Sequence, residues 1–185
     1  MPHLRVRAMA WRSKKQDLAD QPDKIKDAAL RLLSRRDFAA EELRRRLLER
    51  GGGHDKIEEV IDYLCQCGFI NETALVENWL RYRLEINPRG RAYVKQELLN
   101  RGVNEQIVQE SIERLYNDEQ EEIIIVRLAN KEIVHNNVDF DDKEMEKYCA
   151  KLMRRWSNQG FCQNNIINGI KLLRTNFLDK DKNLY

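Results

Sequence analysis

Five basic side chains, Arg81, Arg83, Arg89, Arg91 and Lys95, gather around the break Asn87-Pro88-Arg89-Gly90, with Tyr82 and Tyr93 interleaved. Cations this close together can neutralise phosphates, and aromatic rings beside them add contacts to bases. From Arg81 to Arg101 six basic residues stand against two acids, Glu85 and Glu97, a local balance of +4. From Glu105 to Glu122 seven acids stand against Arg114 alone, a balance of −6. The formal net charge of +2 therefore hides a basic stripe facing one partner and an acidic side facing solvent or another protein. Two more basic sets qualify as binding candidates. Arg44, Arg45 and Arg46 lie between Leu43 and Leu47, so on a helix they point away from the apolar stripe. Arg154 and Arg155 precede Trp156 in the same way.

Other chemistries find little support. Arg50-Gly51-Gly52-Gly53-His54 suggests a phosphate loop, but no Gly-Lys-Ser/Thr follows, so it reads as a flexible helix stop. No Ser-His-Asp, Cys-His or paired-carboxylate arrangement stands out, and the acids are expected on solvent-facing helical positions; the chain reads as a non-enzyme without cofactor. The cysteines Cys65, Cys67, Cys149 and Cys162 form no Cys-x-x-Cys pair and only three histidines exist, which disfavours zinc; the thiols are expected to pack as small apolar groups. A helix in the major groove is disfavoured where the candidate carries Glu58, Glu59 and Asp62, or Glu105, Glu110 and Glu113. Only the segment with Gln163, Asn164, Asn165, Lys171 and Arg174 suits DNA on that count.

The elements that must hold these residues follow from an internal repeat. Gly51, Gly102 and Gly160 share one surrounding pattern. Eight and four residues before them stand Leu43 and Leu47, Val94 and Leu98, Leu152 and Trp156. Six, ten and thirteen after them stand Ile57, Ile61 and Leu64, then Val108, Ile112 and Leu115, then Ile166, Ile170 and Leu173. Every one is apolar in a chain that is 42% apolar, which makes chance a poor explanation. The spacings place each set on one helical face, with glycine at the stop between two helices. A third helix precedes each pair, marked by Ala28, Leu32 and Leu33, by Leu75, Trp79 and Leu80, and by Ile124, Leu128 and Ala129.

The expected fold is therefore all-α: three tandem three-helix repeats in an elongated, curved array. Its divisions are a basic disordered tail at 1–22, repeats at 23–70, 71–117 and 118–175, and a C-terminal tail at 176–185. Asp23, Asn71 and Asn104 are the expected N-caps, and residues between His135 and Asp142 read as a loop. The three prolines leave long stretches free for helix. No run of apolar residues is long enough to span a membrane, and the N-terminal basic segment lacks the apolar core of a secretory signal, so a monomeric cytoplasmic protein is expected.

Several segments carry a family likeness. Leu32-Leu33-Ser34-Arg35-Arg36-Asp37, Glu42-Leu43-Arg44-Arg45-Arg46-Leu47 and Arg50-Gly51 resemble the opening repeat of the RecX family of recombinase regulators. Gly68-Phe69-Ile70-Asn71-Glu72, Trp79-Leu80-Arg81-Tyr82-Arg83 and Lys95-Gln96-Glu97-Leu98-Leu99-Asn100-Arg101-Gly102-Val103 resemble its middle repeat more closely, in order and spacing. The resemblance covers about residues 25–175 and is weakest in the third repeat. It implies a regulator that lodges on the RecA recombinase filament on DNA, reduces strand exchange and ATP turnover, and so modulates DNA repair and recombination. The basic stripe alone also fits an autonomous DNA-binding protein that contacts the backbone of single- or double-stranded DNA without sequence preference. The chain departs from the family at Arg91, where proline commonly follows the glycine, and at Ala39, where serine or threonine commonly caps. Gly52 stands where the other repeats have Val103 and Phe161, so an apolar contact is expected to be missing there.

Overall fold

The computed structural model describes residues 21–135 and 141–182, with side chains placed for 21–134 and 141–176. The basic segment carrying Arg5, Arg7, Arg12, Lys14 and Lys15, the centre of the expected loop at 136–140, and residues 183–185 lie outside the described residues. Among the described residues every regular element is a helix. The order is α1 (Pro22–Leu33), α2 (Ala40–Leu48), α3 (His54–Gln66), α4 (Glu72–Glu85), α5 (Arg91–Asn100), α6 (Glu105–Leu115), α7 (Asp118–His135), α8 (Asp142–Asn158) and α9 (Gln163–Lys182). The chain is an all-α array of tandem three-helix repeats. It forms two compact units: one takes the described residues up to Leu75 with Arg101–Val103, the other Val76–Asn100 and the described residues from Asn104 onward.

The repeat register is physical. Fourteen of the fifteen matched apolar side chains are buried; Leu115 is half-buried, and its neighbour Tyr116 fills the core instead. Gly51, Gly102 and Gly160 have φ of 87°, 82° and 80°, the left-handed conformation that suits glycine. At α2 the N–H of Gly52 donates to the Leu47 carbonyl and that of Gly51 to Leu48. At α8 Phe161 and Gly160 repeat those bonds to Trp156 and Ser157, so both helices end in the same doubly bonded cap. Behind Gly52, Ile57 lies so close that a Cβ on the glycine would sit 3.0 Å from its Cδ1. Ile57 thus occupies the space beside Gly52 that a side chain would take.

Successive repeats touch through these same glycines. A Cβ on Gly102 would stand 2.7 Å from the Cβ of Glu41 at the start of α2, and one on Gly160 would stand 2.6 Å from Tyr93 at the start of α5. Gly90 is tighter still, because its Cβ would fall 2.0 Å from the Gly160 carbonyl, while its N–H donates to the Gln159 carbonyl at 2.8 Å. Backbone meets backbone there, and no side chain fits.

Several expectations need correction. Asp23 is not the α1 cap: Gln21 takes that position without a side-chain bond, Pro22 opens the helix, and Asp23 sits in the first turn, where its charge complements the helix dipole. Asn71 and Asn104 do cap, accepting from Ala74 and Gln106 at 2.9 and 2.8 Å. Helix α9 continues to Lys182, into the stretch read as a tail from residue 176, where neither glycine nor proline stands between 176 and 182. Cys149 is buried, but Cys65 and Cys67 are exposed at the end of α3. The acids are not all on solvent faces either, because Glu42 and Glu121 are 6% and 1% exposed.

Candidate nucleic-acid interface

The basic residues around the α4–α5 break divide into two groups. Arg83 is core-like, only 7% exposed. Its Nε and Nη2 donate to the two oxygens of Glu97 on α5 at 3.0 and 2.5 Å, and Trp79 Nε1 donates to the same carboxylate at 2.8 Å. The guanidinium also lies 5.2, 5.4 and 5.9 Å from the rings of Trp79, Tyr82 and Tyr93. A bidentate, ring-enclosed arginine ties α4 to α5 and presents little charge outward.

Arg91 is likewise engaged. Its guanidinium reaches Asp118 and lies 3.8 Å from Glu121, and its backbone N–H donates to Glu121 at 2.8 Å. The Glu121 carboxylate also accepts from the backbone of Cys162 and from Asn165 Nδ2, both at 3.1 Å. One buried acid on α7 thus caps the starts of both α5 and α9, where exposed backbone donors favour negative charge. Glu72 does the same one repeat earlier, accepting from Ala40 at 3.0 Å at the start of α2. The cap missing at Ala39 is therefore supplied by the next repeat, and the third repeat caps α8 itself through Asp141 and Glu144.

Lys95 donates to Gln109 at 2.9 Å and lies 3.6 Å from Glu105. Arg81 is exposed and makes no ion pair with a described residue. Arg89 is half-buried, donates to the Pro88 carbonyl at 2.9 Å and lies 5.7 Å from the Tyr93 ring, again with no described acid partner. The loop is pinned from below, since the Tyr116 hydroxyl donates to the Arg89 carbonyl. Burial, with the charge of Glu121, pushes that phenol's pKa up, so it remains a donor.

In the first unit, Arg44 binds Glu58 through Nε at 2.6 Å and Nη2 at 2.7 Å, and also reaches Glu41. Those bonds, Glu58's above all, raise its pKa and hold it charged. Arg46 lies 3.4 Å from Glu49, whereas Arg45 is exposed without a described acid partner. On α8, Arg155 pairs with Glu132 and Arg154 is exposed without such a partner. Of the ten candidates, then, Arg45, Arg81, Arg89 and Arg154 have no acid partner among the described residues. Asn165, a candidate for reading DNA, points inward to Glu121 instead.

Sequence reasoning treated Glu97 as a subtraction from local charge and missed Glu121 and Glu72 as caps. One signal was available in the repeat. Shifting Arg44 and Glu58 by the 51-residue glycine spacing lands on Lys95 and Gln109, which are also hydrogen-bonded.

Helix triplets stopped by a left-handed glycine, and capped by an acid from the triplet that follows, define a class of tandem three-helix repeat proteins. Within it, residues 26–64 match the first three-helix domain of RecX and residues 71–112 match the second. In these two segments the chain is similar to the RecX family. Regulatory protein RecX of Treponema pallidum (strain Nichols) is 32% identical over 103 residues, 56% of this chain and 63% of that protein. The corresponding protein of Clostridium perfringens (strain 13 / Type A) is 28% identical over 151 residues, covering 80% of this chain and 69% of the relative. The chain thus spans somewhat under two thirds of the Treponema relative's length. The crystal structure of RecX from Lactobacillus salivarius superposes with a TM-score of 0.68 at 23% identity, covering 83% of this chain and 97% of the other, a likeness of fold.

Proposed function

We propose that this chain is a regulator of recombination that binds a RecA-type recombinase filament on DNA and lowers its ATPase and strand-exchange activity. Two successive RecX domains in family order support the regulatory role. The observation that carries the contact is a set of exposed arginines without acid partners among the described residues, Arg81 foremost, beside half-exposed tyrosines. On this reading the protein acts as a cytoplasmic monomer and catalyses nothing. Its three repeats are 23–70, 71–117 and 118–175. No described helix is long and apolar enough to cross a membrane.

A second reading, autonomous DNA binding without sequence preference, draws on the same unpaired arginines. Binding to bare single-stranded DNA, to DNA-free recombinase and to the assembled filament separates the two. Regulation of the filament requires affinity for the assembly above that for either component. Equal affinity for filament and bare DNA favours the second reading. Replacing Arg81 and Arg89 by alanine should flatten the dependence of DNA affinity on salt by about 0.7–0.9 in slope for each phosphate that is no longer neutralised.

A further inference from the structure

We propose that Tyr82, which follows Arg81 on α4 and precedes the loop that carries Arg89, is a stacking site for an unpaired base of single-stranded nucleic acid. The inference rests on the DNA-facing reading of this surface and specifies what it recognises. Tyr82 is 38% exposed, although Trp79 lies 5.7 Å away and Arg83 packs 5.4 Å from its ring centre. The ring is therefore backed by a rigid support while part of its surface stays open. Its hydroxyl makes no hydrogen bond to a described residue, so burial of the phenol does not explain its place. Tyr93, 42% exposed, and Ile86, 72% exposed one turn beyond Tyr82, extend the apolar surface.

The electrostatics suit an anionic chain. Glu97 neutralises Arg83, so that arginine stiffens the platform without competing for phosphate. Arg81 and Arg89, with no acid partner among the described residues, supply the charge. The C-terminal end of α4, which would repel phosphates, is partly satisfied, since Arg127 Nη2 donates to the Leu84 carbonyl. Glu85 is exposed nearby and forms no ion pair with Arg81. A base offers an aromatic face to Tyr82, and the phosphates of its strand complement the charge of Arg81 and Arg89. In a duplex those faces are hidden, which makes the unpaired strand the fitting ligand.

The test compares three probes at one salt concentration: a thymidine oligonucleotide, an abasic oligonucleotide of equal length, and a duplex. Stacking of one base should make the thymidine strand bind roughly fivefold to 150-fold more tightly than the abasic strand. Tyr82→Ala should bring that ratio close to one, and Tyr82→Phe, which keeps ring and packing, should preserve most of it. Equal binding of base-bearing and abasic strands overturns the proposal, as does a ratio unchanged in Tyr82→Ala. If Tyr82→Ala instead weakens binding to DNA-free recombinase with the ratio intact, the tyrosine is a protein contact and the proposal also fails. A protein that shows the base dependence yet leaves recombinase ATPase unaltered would contradict the regulatory reading and not this one.

Discussion

Replacing Arg83 by methionine separates structural from binding arginines in this surface. The methionine keeps much of the aliphatic stem but removes the guanidinium from Glu97 and from three aromatic rings. Glu97 retains the Trp79 donor at 2.8 Å and is itself 21% exposed at the side chain, so water relieves part of the unpaired charge. Removing one partner of a fully buried pair costs about 3–5 kcal/mol, and the partial exposure here lowers the expected loss to about 2–3 kcal/mol. Arg81→Ala, which breaks no described ion pair, should fall within about 0.5 kcal/mol of the parent. Urea denaturation followed by circular dichroism reads both values. A second variant, Arg83→Met with Glu97→Leu, should regain part of the loss because no carboxylate is left stranded. A structural role for Arg83 is refuted if Arg83→Met unfolds at the parental midpoint while its DNA affinity drops as far as that of Arg81→Ala. Neutralising all five basic residues of the break together is therefore not a neutral change for the fold, since Arg83 and Arg91 hold helices in place.

Three other outcomes are expected. Gly90→Ala should lower stability by about 3 kcal/mol or more, read as a fall in melting temperature, because the added carbon meets the Gly160 backbone rather than a movable side chain. Glu121→Ala leaves two backbone donors and Asn165 without their acceptor and should cost about 2–4 kcal/mol in denaturant, while Glu121→Gln, which keeps one acceptor oxygen, should cost less. For pH, burial opposes ionisation of Glu42, but hydrogen bonds and charge from Arg36, with Arg101, outweigh it and hold the carboxyl below its usual range. The folded-state pKa is thus depressed, so this stabilisation is complete above the unfolded carboxylate pKa and is lost as pH falls through the folded one. Glu42→Gln should flatten the fall in stability below about pH 4.5, measured by thermal melts across acid buffers.

The helices and their order were readable because the repeated glycines and apolar spacings are local signals, set by backbone conformation at Gly51, Gly102 and Gly160 and by one face of each helix. The repeat even placed Tyr93 and Gly160 in their own units, but not against each other. What stayed hidden depends on which helix meets which. Glu97 and Arg83 pair across two helices, and Glu121 looks like any surface acid until the starts of α5 and α9 converge on it. Composition counts such residues as charge, whereas packing turns them into caps and clamps. The same effect narrowed the basic stripe, since Arg44, Arg83, Arg91 and Arg155 are paired with acids and only part of the expected surface keeps free cations.

The central claim is regulation of a recombinase filament through those unpaired arginines. It is tested most directly by the ATPase rate of a RecA-type recombinase on saturating single-stranded DNA, titrated with the wild-type chain and with an Arg81→Ala, Arg89→Ala variant of matched stability. The expected result is inhibition by the wild-type chain that persists when DNA is in excess and is clearly weakened in the variant. Inhibition that disappears on adding bare DNA would contradict the claim, as would a variant that inhibits as well as the parent.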